Sequence, residues 1–243
     1  MQNEKSKTAL VFGGSRGIGA AAVERLAREG FAVAFTYVSR PDSAEALVER
    51  LTAAGSKALA IQADSADPAA IRAAVEQTAA HFGGLDAVVV NAGILRMGPI
   101  EAVSLEELDQ MLAINVRGVF LAIQAAAAHL PEGGRIITIG SNTAVRTGYP
   151  GTSVYQFTKA AVAAMVKGIA LDLAPRGITV NNVQPGPIDT DMNAGAIEML
   201  AGKSPMRRVG SPAEIAGLIA YLAGAESGYM TGESITIDGG WVL

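Results

Sequence analysis

Cysteine is missing from all 243 residues. Its absence excludes disulfides, thiolate nucleophiles and cysteine-bound zinc, and it suits a reducing compartment. No metal site is read from the sequence. Charged residues are few, at 17%, and they form no run of one sign. A net charge of -4 lacks the basic surplus of a nucleic-acid binder, so no nucleic-acid partner is expected. The first residues, Met1 to Thr8, lack the basic-then-apolar plan of a secretion signal. The longest apolar stretch, Val116 to Leu130, is interrupted by Arg117, Gln124 and His129. It reads as too short and too polar to span a bilayer. A cytoplasmic protein without a membrane partner is the resulting expectation.

What is present is apolar material in a regular order. Half the residues are hydrophobic, enough for a large core. Short strand-like runs at Thr8–Phe12, Ala32–Tyr37, Ala58–Gln62, Ala87–Val90, Arg135–Ile139, Ile178–Val183 and Ser234–Ile237 punctuate the chain. Helical spacing fills the intervals at Ile18–Arg28, Ser43–Ala54, Ala69–Phe82, Leu105–Leu130, Val154–Ala174 and Ala213–Ala223. Strands apolar on both faces and alternating with helices predict a parallel sheet covered on both sides. With no linker or repeat, residues 1–243 read as one α/β doubly wound Rossmann domain. The expected sheet has seven parallel strands in the order 3-2-1-4-5-6-7. Ligands of such sheets bind beyond the carboxyl ends of the strands.

Directly after the first strand comes Gly13-Gly-Ser-Arg-Gly17-Ile-Gly19, opening into a helix. Gly13 permits a tight turn, and Gly17 and Gly19 let a pyrophosphate approach backbone and helix without a side chain between. The helix start offers free N–H groups and a partial positive charge. The same letters contain Gly13-x-Ser15-x-Gly17, the nucleophile elbow of an α/β-hydrolase. That rival requires strands ahead of the elbow and a late loop histidine. Here the elbow follows the first strand, and His81 and His129 both fall in helical segments.

Tyr155 and Lys159 are four apart at the start of a helix, hence on one face. A free tyrosine titrates near 10, and a neighbouring ammonium lowers that value, which suits a general acid or base. Ser141, ending the fifth strand, is placed to hydrogen-bond a substrate oxygen from the other side.

Taken in order, these motifs resemble the short-chain dehydrogenase/reductase family over essentially the whole chain. Gly13, Gly17 and Gly19 match its cofactor turn, where Ser15, Arg16 and Ile18 also lie. Asn91, Ala92 and Gly93 match the motif closing the fourth strand. Asn115 stands at the family's helix asparagine, and Ser141, Tyr155 and Lys159 match its catalytic set. Pro185, Gly186, Ile188 and Thr190 match the segment over the nicotinamide. The resemblance implies that Tyr155 protonates a carbonyl oxygen as hydride arrives, and that Ser141 holds and polarises that oxygen. It implies that Lys159 binds the nicotinamide ribose and lowers the tyrosine pKa, and that Asn115 anchors a proton-relaying water.

The resemblance also implies a nicotinamide cofactor, and the residues argue which. NAD-specific relatives carry an acid at the position of Tyr37, and none is here. Ser39 and Arg40 follow, and Arg16 projects from the glycine turn. Guanidiniums suit a 2′-phosphate, so NADP(H) is expected, with Asp42 beyond Pro41 as the one acid nearby. Asp64 and Ser65 are expected at the adenine. Two departures concern the first and fourth strands. Phe12 replaces a usual threonine and Val90 a usual asparagine, so packing is expected to replace hydrogen bonds there. Thirteen residues separate Ser141 from Tyr155, one more than in many members, and lengthen a loop expected to line the substrate pocket.

A small ketone, aldehyde or quinone is the expected substrate, converted to or from its alcohol. Reduction of a 3-oxoacyl group on an acyl carrier protein is the alternative. Arg176 could serve such docking, but Glu132 opposes an acidic carrier. A nucleotide-binding sensor that does not turn over is the alternative of another class. Ala160, Ala161, Ala163, Ala164 and Ala170 on one helix, and the final Gly232–Leu243 segment with Trp241, suggest self-association as a homotetramer, a dimer of dimers.

Overall fold

The computed structural model describes residues 6–243; Met1–Lys5, most of the polar leader, lies outside the described residues. The strands are β1 (Thr8–Phe12), β2 (Ala32–Tyr37), β3 (Ala58–Gln62), β4 (Ala87–Val90), β5 (Arg135–Ile139), β6 (Thr179–Pro185) and β7 (Ser234–Ile237). They form one sheet in the order β3-β2-β1-β4-β5-β6-β7, with every neighbouring pair parallel. Alternate residues of β1 show why both faces must be covered. Ala9 and Val11 enter one core cluster, while Leu10 and Phe12 enter the other. The first cluster is closed by helices α1 (Gly17–Arg28), α2 (Pro41–Ala53) and α8 (Pro212–Ala223). The second is closed by α3 (Pro68–Phe82), α5 (Val119–Ala127) and α6 (Ser153–Leu173).

Helix starts are written locally. Pro41, Pro68 and Pro212 open α2, α3 and α8, where proline's missing N–H costs nothing. Pro41 starts α2 two residues before the expected Ser43, so Asp42 sits in its first turn, complementing the helix dipole rather than ending β2. The Leu105–Leu130 segment, expected as helix in one or two pieces, forms two, α4 (Leu105–Leu112) and α5, joined through a π-helical turn, Ala113–Gly118. The stretch after β6 holds a short helix, α7 (Ile197–Lys203). Among the described residues, Leu105–Ala127 is long and apolar enough by composition to cross a membrane, longer than the interrupted stretch suggested. Val119, Ala122, Ile123 and Ala126 of this run pack into the core against the sheet.

Chain order runs outward from β1 in one direction and from β4 in the other, so the switch point lies between them. There the loops after β1 and β4 diverge to opposite faces and leave a crevice. The site is built around it.

Candidate active site

The glycine-rich turn leaves β1 at the crevice. Gly13 and Gly17 adopt φ of 71° and 53°, a left-handed conformation that glycine takes without strain. Arg16 precedes α1 without making a side-chain cap, and the first turn of α1 contains no acid. The leading N–H groups of α1 are therefore left for an anion. Gly19 works differently from the expectation. A Cβ there would stand 2.0 Å from the Gly13 carbonyl oxygen and 2.7 Å from Asn91 Nδ2, so its bareness lets helix and turn touch each other. Gly17 faces the segment after β6, where a Cβ would meet Thr190 Cγ2 at 3.3 Å.

Two side chains hold the turn. Asn91 donates from Nδ2 to the Gly13 carbonyl at 2.7 Å and, more weakly, to that of Phe12 at 3.4 Å. The Gly13 N–H donates to Thr36 Oγ1 at 2.9 Å, and the Gly14 N–H to the Thr36 carbonyl at 2.9 Å. The expected replacement of hydrogen bonds by packing is therefore corrected. The hydroxyl missing at Phe12 is supplied by Thr36 from β2, and Asn91 still ties β4 to the turn. Thr36 was not legible as a site residue. Its signal was a lone threonine in an apolar strand beside the one that lacked a hydroxyl.

The other end of the crevice gathers the polar set. Asn115, fully buried, lies in the π-helical turn between α4 and α5, a distortion that commonly marks functional positions. Its Oδ1 accepts from the Ile94 N–H at 2.9 Å, and its Nδ2 donates to the Ile94 carbonyl at 2.8 Å and to Thr158 Oγ1 at 3.3 Å. Thr158 donates in turn to the Tyr155 carbonyl at 2.7 Å. Asn115 thus fastens the loop after β4 to the first turns of α6. Both Nδ2 donors are taken by protein, so the second lone pair of Oδ1 is what the side chain has left for a water.

Ser141 follows β5 and caps a short turn, and its Oγ accepts from the Thr143 N–H at 3.2 Å and the Thr143 hydroxyl at 2.9 Å. Lys159, buried, donates to the Ile139 carbonyl at 2.9 Å and lies 5.7 Å from the centre of the Tyr155 ring. Burial raises the Tyr155 phenol above its ordinary value, and the Ser141 hydroxyl offsets only part of this. Burial pushes the Lys159 ammonium down to about 8. The lowered tyrosine that the resemblance implies is not what this geometry produces. Tyr155 is held as a neutral phenol, the form that donates a proton.

That gives a pH dependence with a definite sign. Lys159 is a cation below about pH 8 and loses its proton above it. Cofactor binding that uses this charge is expected to weaken by about tenfold between pH 7.5 and 9, about one decade per unit beyond the pKa. The check is cofactor affinity of the free protein across that range. A flat profile would mean that the Lys159 charge takes no part in binding.

The remaining residues expected at the cofactor lie at the carboxyl ends of β2, β3, β4 and β6. Tyr37 ends β2 and Ser39 and Arg40 follow it, exposed. Asp64 turns inward on its own loop, accepting from the Ala66 N–H at 2.8 Å. Ser65 is pressed against α5's approach, since a Cβ on Gly118 would stand 2.2 Å from its carbonyl. Ala92 backs Gly13, and Gly93 leaves room beside Lys159 Nζ and Asn115 Oδ1, each 3.4 Å from where a Cβ would be. Gly186 is bare because Asp238 packs 2.5 Å from its would-be Cβ, and Ile188 is buried. The hydrolase rival finds no partner for Ser15, since His81 is exposed on α3 and His129, expected in a helix, is exposed in the turn after α5.

Comparison with known proteins follows the geometry. The family model described as Enoyl-(Acyl carrier protein) reductase matches residues 13–242. The short-chain dehydrogenase/reductase from Serratia marcescens BCRC 10948 superposes with a TM-score of 0.95 at 54% identity, covering 98% of both chains. A blue fluorescent protein from a metagenomic library, solved in complex with NADPH, has a TM-score of 0.95 at 49% identity and covers 100% of both. The cyclic-di-GMP-binding biofilm dispersal mediator protein of Escherichia coli strain K12 is 42% identical over 236 residues, 96% of each chain.

Proposed function

Since the chain belongs to the short-chain dehydrogenase/reductase family, we propose that it is an NADP(H)-dependent oxidoreductase reducing a small ketone, aldehyde or quinone. The observation that carries the reading is buried Lys159, one turn along α6 from Tyr155, with its Nζ 5.7 Å from the centre of the Tyr155 ring. The cofactor fits the residues present. An uncapped helix start and two left-handed glycines suit a pyrophosphate, and Arg16 and Arg40 suit a 2′-phosphate. The bound nicotinamide would supply the hydride. Tyr155 donates its phenolic proton to the carbonyl oxygen, and Ser141 holds that oxygen by a hydrogen bond. Lys159 binds the ribose, and Asn115 keeps the loop after β4 and the α6 turn in register. Asp64 and Ser65 border the adenine, and Pro185, Gly186, Ile188 and Thr190 cover the nicotinamide.

The loop between Ser141 and Tyr155, expected to line the substrate pocket, carries Tyr149. Tyr149 packs against Trp241, ring centres 6.1 Å apart, and Lys203 lies 4.5 Å above the Tyr149 ring. Trp241 packs within its own chain but stays half-buried, and on α6 Ala170 is buried in the core while Ala164 is exposed. Exposed Phe120 on α5 and Phe157 on α6 are the better contact for pairing copies into a homotetramer, which light scattering at a monomer mass would exclude. Arg176 donates to the carbonyls of Ala127 and Leu130 at the end of α5. It caps a helix there instead of waiting for an acyl carrier protein.

Reduced-nicotinamide absorbance over a panel of small ketones, aldehydes, quinones and an acyl-thioester tests the reading. Turnover with NADPH at least tenfold faster than with NADH is expected, with the preference narrowed by Arg40→Ala. The relative named for cyclic-di-GMP binding supports a second reading, a nucleotide sensor. NADPH binding without turnover of any carbonyl would favour it.

A further inference from the structure

Arg16 and Arg40 come from different loops, and a third segment answers both. Asp191, on the stretch after β6, places Oδ2 at 3.4 Å from Arg16 Nη1 and 3.6 Å from Arg40 Nη1. Among the described residues, neither arginine has another acidic partner, and neither caps the helix it precedes. The neighbouring Thr190 lies against Gly17, so this segment rests on the glycine-rich turn.

Two guanidiniums side by side repel each other unless an anion lies between them. In the free protein that anion is the Asp191 carboxylate. A 2′-phosphate carries close to two negative charges at neutral pH. It would address the same two guanidiniums and meet Asp191 as a like charge. Granting the NADP(H) reading above, on which this rests, we propose that Asp191 is a built-in competitor for the 2′-phosphate. It holds both arginines while the cofactor is absent and is displaced by NADP(H), whereas NADH, without that phosphate, leaves it in place. The cofactor's apparent affinity is then reduced by the fraction of molecules in which Asp191 holds the arginines. The segment over the nicotinamide is coupled through the same carboxylate to the far end of the cofactor.

The test is a set of dissociation constants for NADPH and NADH, read from nicotinamide fluorescence, for wild type, Asp191→Asn and Asp189→Asn. Asp189 is exposed on the same segment without an ion pair to either arginine, and controls for a general change of charge. Asp191→Asn is expected to bind NADPH about three- to tenfold tighter at low salt, the range two exposed ion pairs allow. Its NADH affinity stays within about twofold, and Asp189→Asn matches wild type. The gain shrinks in high salt, since exposed charges are screened. Unchanged or weaker NADPH binding by Asp191→Asn overturns the proposal, because Asp191 would then be neutral or would pre-shape the arginines. An equal gain in NADH affinity, or in Asp189→Asn, overturns it as well. Wild type binding NADPH no tighter than NADH would remove the 2′-phosphate reading itself. A clear NADPH preference with an unmoved Asp191→Asn removes the competitor alone.

Discussion

Replacing Tyr155 with Phe is expected to lower the rate of carbonyl reduction by about a thousandfold, within the range a positioned proton donor supplies. NADPH affinity should stay within about twofold, because the ring survives and the Lys159 contact to Ile139 is untouched. The separation of the two quantities is the point. Tyr155 keeps its proton in the free protein because burial holds the phenol neutral, and Phe removes that proton while filling almost the same space. Steady-state NADPH oxidation with any substrate found in the panel, beside a binding titration, reads both. A rate that survives would mean that the proton comes from solvent, and the assignment of Tyr155 would fall. A parallel loss of binding would instead indicate a structural role.

Gly19→Ala is expected to have the other large effect, through backbone. The added methyl would stand 2.0 Å from the Gly13 carbonyl oxygen and 2.7 Å from Asn91 Nδ2, and neither can yield without moving the turn. Overpacking of this kind costs about 1–3 kcal/mol. The displaced turn should also weaken NADPH binding by about a hundredfold, since misplacement near 1 Å suffices for that. Gly202→Ala in α7 is the contrast, because nothing lies within 4 Å of its would-be Cβ. It should be neutral or stabilising by up to about 1 kcal/mol. Thermal unfolding with and without NADPH measures both effects. A Gly19→Ala protein with wild-type stability and binding would mean that the turn is softer than its contacts indicate.

Much of the fold was legible because each strand is apolar on both faces. Leu10 and Val11 must both be buried, and only a sheet covered on both sides buries them. The glycine turn, Ser141, Tyr155 and Lys159 were legible because their spacings are local to one loop or one helix turn. Boundaries shifted where a local signal was misjudged. Pro41 begins α2 earlier than Ser43, and the place where the Leu105–Leu130 segment divides, the π-helical turn at Asn115, has no proline or glycine before Gly118 to mark it.

The sequence by itself therefore determined the layer order, the place of the glycine turn and the shared face of Tyr155 and Lys159, since periodicity and short spacings act within a few residues. Asn115 was named only through the family resemblance. Only tertiary structure decided the rest, because it depends on groups distant along the chain. Thr36 supplies the hydroxyl that Phe12 lacks, 23 residues away at Gly13. Arg176 is occupied by carbonyls 46 and 49 positions distant. Arg16 meets Asp191 across 175 positions. The protonation of Tyr155 and Lys159 was likewise decided by burial. Desolvation is set by everything packed around a group, and no spacing in the sequence records it.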